Sequence, residues 1–284
     1  VTTALLQPQL ELLDQRFPER LVPVDAAGTQ VAVRECGPRE GSSALVLLHG
    51  ISSGAASWLH AVLPLAGTQR VVAWDAPGYG RSTPLAASAP RTSDYAQRLD
   101  ETLRALGVQR CVLVGHSLGA LMACAYARLE RTVDRLVLIS PARGYAASPE
   151  QAERVRRERT EALQAKGVAG LAEGIAQRLL SPQASPAARE WVRWNTARLH
   201  PPGYLQAVEM LCGSELGSLP ATLSVEVHCG EADVVTPPAT CAQAATALGA
   251  SFRTIANAGH ASPVEQPEAV AALLRAALQA GGER

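Results

Sequence analysis

The pentapeptide Gly115-His116-Ser117-Leu118-Gly119 joins an apolar run, Cys111-Val-Leu-Val114, to an apolar stretch with helical character, residues 118–127. A serine on a sharp strand-to-helix turn projects its hydroxyl above a sheet. Glycines two residues away on either side let neighbouring backbone approach, and the helix start aims amides at negative charge forming there. This is a device for attacking a carbonyl carbon. A free serine hydroxyl is a poor nucleophile and needs a base within reach. The β-like run Leu223–Cys229 ends in Gly230-Glu-Ala-Asp233, and the run Ser251–Ile255 ends in Ala256-Asn-Ala-Gly-His260. Ser117, Asp233 and His260 are thus each expected just past a strand end. His260 would take and return the proton, and Asp233 would fix the tautomer of His260. Glu231 is the nearer rival for the acid and Asp75 a more distant one. Residues 139–142, after the sixth strand, offer no carboxylate.

Acyl chemistry also needs donors aimed at the developing oxyanion. The amide of Leu118, directly after the nucleophile, is one. The second is expected from the loop His49-Gly50-Ile51-Ser52, with Ile51 first and Ser52 as the fallback. His49 reads as a buttress for that loop, and Asp75, in Asp-Ala-Pro-Gly-Tyr-Gly-Arg-Ser82, as a tie for its own tight turn. His116 either lines the pocket or packs beside the turn. The six histidines (49, 60, 116, 200, 228, 260) show no H-x-x-x-H spacing, and no Gly-rich phosphate loop follows a strand. The expectation is chemistry with no metal and no cofactor.

Positioning three strand-end residues requires a sheet. Strand patterns fall at Arg20–Val24, Gln30–Glu35, Ala44–Leu48, Arg70–Trp74, Arg110–Val114, Val133–Ile139, Leu223–Cys229 and Ser251–Ile255. Helical patterns fall at the N-terminus (Leu6, Leu10, Leu13, Phe17) and at Ser57–Leu65, Ser93–Leu106, Leu118–Leu129, Ala239–Leu248 and Pro267–Leu278, with Gly281 as the last stop. This alternation predicts an α/β fold: a mostly parallel eight-stranded sheet with helices on both faces. It breaks between 144 and 210, where helical patterns are interrupted by Gly167, Gly170, Gly174, Pro182, Pro186 and Pro201-Pro202. That segment is predicted to be a helical cap inserted into a core of 1–143 and 211–284. Between Arg143 and His200 it carries ten basic and six acidic residues, a surplus of four. Arg143 is the first candidate to meet an anionic substrate. Trp191, Trp194 and Tyr204 are candidates to roof an apolar pocket, unless they hold the cap helices together.

Composition narrows the setting. Apolar residues make up 47% of 284, enough for a large core, and the formal net charge is zero, which argues against a nucleic-acid partner. Of 26 basic residues one is Lys166 and the rest are arginine. No run suits a membrane span, and the first residues lack a basic-then-apolar leader, so a small-molecule enzyme of the cytoplasm is expected. The six scattered cysteines read as reduced and structural.

With these residues in place, 20–280 resembles the α/β-hydrolase superfamily, in the branch of bacterial serine hydrolases with a helical cap. The matching segments are Leu-His49-Gly50, Asp75-x-x-Gly78-x-Gly80-x-Ser82, Gly115-His-Ser117-Leu-Gly119, Gly230-Glu-x-Asp233 and Gly259-His260, and the chain order Ser…Asp…His is the one found on such sheets. The branch includes carboxylesterases, enol-lactonases and meta-cleavage carbon–carbon hydrolases. Dehalogenase and epoxide hydrolase relatives carry aspartate at the nucleophile, and dienelactone hydrolases carry cysteine; neither matches Ser117. Gly119-Ala120, where the lactonase and meta-cleavage groups often have Gly-Gly, tilts the expectation toward a small ester or lactone. Carbon–carbon bond hydrolysis of a ring-fission ketone and a non-catalytic ligand-binding role are the alternatives.

Overall fold

The computed structural model describes residues 4–40, 43–129 and 132–281. Eight strands build one sheet: β1 (Glu19–Pro23), β2 (Gln30–Cys36), β3 (Ser43–Leu48), β4 (Val71–Trp74), β5 (Arg110–His116), β6 (Thr132–Ile139), β7 (Val225–Gly230) and β8 (Ser251–Ile255). Their spatial order is β1-β2-β4-β3-β5-β6-β7-β8. β2 runs antiparallel to both neighbours, and the pairs from β4 to β8 are parallel. This is the mostly parallel α/β sheet that the alternation predicts, in the α/β-hydrolase arrangement that the resemblance implies.

Successive residues of a strand point to opposite faces, and the core divides accordingly. Val46, Leu48, Leu113, Leu136 and Leu138 join one apolar cluster with α3 (Thr92–Ala105), α4 (Leu118–Ala127) and α8 (Pro238–Leu248). Leu45, Leu47, Val112, Val114, Val137 and Ile139 join the other, with α1 (Gln7–Arg16), α2 (Leu59–Val62) and α10 (Pro267–Gly281). Burial on both faces is what continuous Val/Leu/Ile runs demand.

Two local differences from expectation have plain causes. The single helix expected at 57–65 is α2 flanked by 3₁₀ turns at Ala55–Trp58 and Leu63–Leu65. Pro64 lacks the N–H and its ring crowds the preceding turn, so an α-helix does not continue through it. The last helix reaches Gly281 itself.

Between β6 and β7 lie α5 (Pro149–Leu179), α6 (Pro186–Ala197) and α7 (Pro201–Cys212). α5 bends at Gly167, whose φ of 61° and ψ of −179° leave the helical region. A positive φ favours glycine because it has no Cβ. A short α9 (Ser262–Glu265), absent from the periodicity, precedes α10.

The chain leaves β3 toward β4 on one side and returns across the sheet to β5 on the other, so β3 and β5 are neighbours at a reversal of winding. In open α/β sheets that crevice, outside the carboxyl ends of the strands, is where ligands bind. The 49–52 loop and Ser117 both sit there. Close approach fixes Gly119: a Cβ there would stand 2.5 Å from the Leu48 carbonyl oxygen and 2.9 Å from that of His49. Backbone of the central strand cannot give way. Gly119→Ala is therefore expected to cost about 2–3 kcal/mol, read as a lowered denaturation midpoint; an unchanged midpoint would mean that α4 is not pressed against β3.

Candidate active site

Ser117 is the one residue between β5 and α4, with φ 52° and ψ −115°. This backbone is strained for a non-glycine residue, and strain of this kind persists only where surroundings over-determine it. Its N–H donates to the Ile139 carbonyl at 3.0 Å, and its carbonyl accepts the Ala120 and Ala142 amides at 3.0 and 3.1 Å. Leu118 is the first residue of the helix that follows.

Asp233 and His260 meet. His260 Nδ1 lies 2.9 Å from Asp233 Oδ2, and both residues are 3% exposed. Asp233 Oδ1 accepts the backbone amides of Val235 and Thr236 at 2.8 and 2.9 Å, and the Thr236 hydroxyl donates to Oδ2 at 2.9 Å. Burial pushes this carboxyl up, but the hydrogen bond and charge of His260, helped by the Thr236 amide, outweigh it and hold the pKa at about 2. An ionised acceptor on that side requires that Nδ1 carry the proton. Nε2 is left as the basic nitrogen.

Ser117, His116 and His260 line one cavity of about 920 Å³, together with Ile51 and Ser52, Leu118, Arg143 and Tyr204. The helices between β6 and β7 contribute further lining, including Val155, Leu171, Ile175 and Leu199. Of the residues singled out from sequence, Trp191 and Trp194 do not line it. Trp191 is fully buried and stacks on Trp194 with ring centroids 4.8 Å apart, while the Arg198 guanidinium covers the Trp194 ring at 4.6 Å. Spaced three apart on α6, they share a face, and that face packs into the core beside α2 and α10. Arg143 lines the cavity from its exposed rim, with Nη1 donating to Gln243 at 3.2 Å.

The loops behind the serine are tied by groups of fixed protonation. The Ala76 amide donates to His49 Nε2 at 3.0 Å, so Nδ1 carries the proton and donates to the Gly50 carbonyl at 2.8 Å. Asp75 Oδ1 accepts the Ala55 amide at 2.7 Å. The Asp75 side chain therefore ties the segment after β3, while its own turn is held by the Ser82 hydroxyl donating to the Asp75 carbonyl at 2.6 Å. Glu231 lies on the surface, its Oε2 accepting the Asn257 amide at 3.3 Å. His116 Nε2 donates to the His260 carbonyl at 2.8 Å, since a carbonyl only accepts. Three contributors escaped the sequence reading. Thr236 was signalled by the Asp-x-x-Thr spacing of an Asx turn. Tyr79, whose hydroxyl donates to the Ile51 carbonyl at 2.9 Å, and Arg159 carried no local signal.

Comparison with known proteins shows the family. A profile described as the alpha/beta hydrolase family matches residues 45–273. A 2-hydroxy-6-oxononadienedioate/2-hydroxy-6-oxononatrienedioate hydrolase of Pseudomonas putida is 37% identical over 115 residues, 39% of this chain and 40% of that protein. The chain spans 26–45% of the length of the curated relatives it matches. Among solved structures, a thermophilic esterase from Thermogutta terrifontis superposes with a TM-score of 0.76 at 25% identity, covering 92% of this chain and 98% of that one. The enol-lactonase from Burkholderia xenovorans LB400 gives 0.77 at 20% identity over 92% and 100% of the two chains, a likeness of fold.

Burial, and secondarily the charge of His260, lowers the pKa of His116 from 6.5 to about 3. Between those values the unfolded chain binds a proton that the folded protein refuses, so stability falls as the pH drops through this window. His116→Gln, which keeps a donor for the His260 carbonyl, should lessen the stability lost between pH 7 and pH 4.5 by about 2 kcal/mol. Denaturant unfolding of both proteins at the two pH values measures this; equal losses would show that His116 titrates normally.

Proposed function

Because the chain belongs to the alpha/beta hydrolase family, we propose that it is a serine hydrolase of small carboxylic esters or lactones, working through an acyl-enzyme on Ser117. The observation that carries this reading is the buried 2.9 Å contact of Asp233 with His260, which lines the same cavity as the strained Ser117.

The steps follow from the protonation states. Nε2 of His260 takes the Ser117 proton as Oγ attacks the ester carbon. The imidazolium that results is stabilised by the ionised Asp233. The amides of Ile51 and Leu118 receive the oxyanion. Collapse of the tetrahedral intermediate breaks the bond to the leaving oxygen, which departs with the proton from Nε2. A water, deprotonated by the same nitrogen, then releases the acid and restores the hydroxyl. Nothing in this sequence calls on a metal or cofactor.

Carbon–carbon hydrolysis next to a ketone is a second reading, favoured by the 37% identity to the Pseudomonas putida enzyme. Substrates separate the two: esters and lactones should be turned over well, and a ring-fission dienoate poorly. A fluorophosphonate should label wild-type protein at Ser117 and fail to label Ser117→Ala. Ser117→Ala and His260→Ala should each lower kcat by about four orders of magnitude or more. Asp233→Asn should cost less, and Glu231→Gln little. Retention of ester hydrolysis by Ser117→Ala would refute the mechanism, and a larger loss in Glu231→Gln than in Asp233→Asn would refute the assignment of the acid.

A further inference from the structure

Four arginines crowd the first half of α5, at 154, 156, 157 and 159. Their partners differ. Arg156 is bound by Glu209 at 3.0 Å and by Glu153 at 2.6 Å, and Arg154 reaches Glu158 at 3.9 Å. Arg159 is turned inward. With Gln151, Val155 and Ala162 it forms the helix face that lines the cavity. Among the described residues no carboxylate lies within ion-pair distance of it, and its Nη1 donates to the Tyr204 hydroxyl at 3.1 Å.

Hydrogen-bond accounting shows what is left over. A guanidinium has five N–H donors and no acceptor. The Tyr204 oxygen accepts from Arg159, so the Tyr204 O–H proton remains to be donated elsewhere. Tyr204 is buried, at 4% exposure, and Arg159 is half-buried. Donors thus converge on the cavity from both side chains. Leu171, Ile175, Leu179 and Leu199 give the same cavity an apolar lining. An acceptor-only group of negative charge and planar shape complements such a pair, and a carboxylate is that group.

We propose that Arg159 and Tyr204 form a seat for a carboxylate carried by the substrate, so that the favoured esters or lactones are derived from acids with a second carboxyl group. The proposal rests on the serine hydrolase reading and specifies its substrate class. Two other observations set the seat in place. A Cβ on Gly203 would stand 2.0 Å from the Gly78 carbonyl oxygen, so the residue before Tyr204 is pressed against the residue before Tyr79. Tyr79 in turn donates to the Ile51 carbonyl, which ties the seat to the 50–52 loop. The cavity's own carboxylates are committed or peripheral: Glu158 leans toward Arg154, and Glu215 is exposed beside Gly144. Arg143 and Arg178 also line the cavity but are exposed, where solvation satisfies them.

The test uses Ser117→Ala protein, which should bind esters without cleaving them, and titration calorimetry with the monomethyl and dimethyl esters of succinic, glutaric and adipic acids. At least one half-ester should bind tenfold or more tightly than its diester. Adding Arg159→Gln should abolish that preference, Arg159→Lys should restore part of it, and Tyr204→Phe should reduce it several-fold, with thermal melting confirming that each variant is folded. A half-ester preference that is absent, or that survives both Arg159→Gln and Tyr204→Phe, overturns the seat. The hydrolase reading fails separately: if wild-type protein neither cleaves these esters nor is labelled at Ser117 while the preference behaves as expected, the seat stands and the catalytic role falls.

Discussion

The site depends on one backbone reversal. Between β5 and α4 the chain turns on Ser117 alone, in a conformation that costs on the order of 1–3 kcal/mol. Three hydrogen bonds clamp the turn: one to the end of β6, one within α4 and one to the segment leaving the sheet at Ala142. Every residue of α4 is buried, so the helix cannot drift to relieve the strain. The hydroxyl thus stands at a fixed point where β3 and β5 part, with the first amides of a helix beneath it.

Around that point the structure fixes protons as carefully as atoms. Asp233 is ionised because an imidazole and two backbone amides outweigh its burial. His49 is neutral and held in one tautomer because it must accept from Ala76 and donate to Gly50. His116 is kept neutral by burial and donates to the carbonyl of His260. His260 is therefore flanked by a histidine that stays uncharged near neutral pH.

Much of this could be read from residue types. Strand ends were legible because β-branched runs terminate abruptly at Gly, Asn and Asp, and the three candidate residues each follow such an end. A parallel sheet with helices on both faces followed from the alternation, whereas the strand order did not. What escaped lies beyond local pattern. Trp191 and Trp194 share a helical face by spacing, but spacing is silent on whether that face meets a cavity or a core. Spacing puts Arg159 on one helix face with Val155 and Ala162, but that this face meets the cavity and Tyr204, forty-five residues downstream, is a tertiary fact. Pro64 interrupts α2 by a local rule that the apolar spacing had hidden.

The segment between β6 and β7 is joined to the sheet at a narrow neck. Gly144 and Glu215 form a single antiparallel bridge where the chain departs and returns, and a Cβ on Gly144 would collide with the Ser214 carbonyl oxygen. Ser117, Asp233 and His260 all lie outside that neck, and Arg159 and Tyr204 inside it. The two proposed roles are consequently written on separate stretches of polypeptide. The inserted stretch is still no detachable lid, because Trp191 belongs to the core cluster of α2 and α10 and Glu265 accepts the Ser181 amide; an exchanged segment would have to bring its own core-facing residues with it.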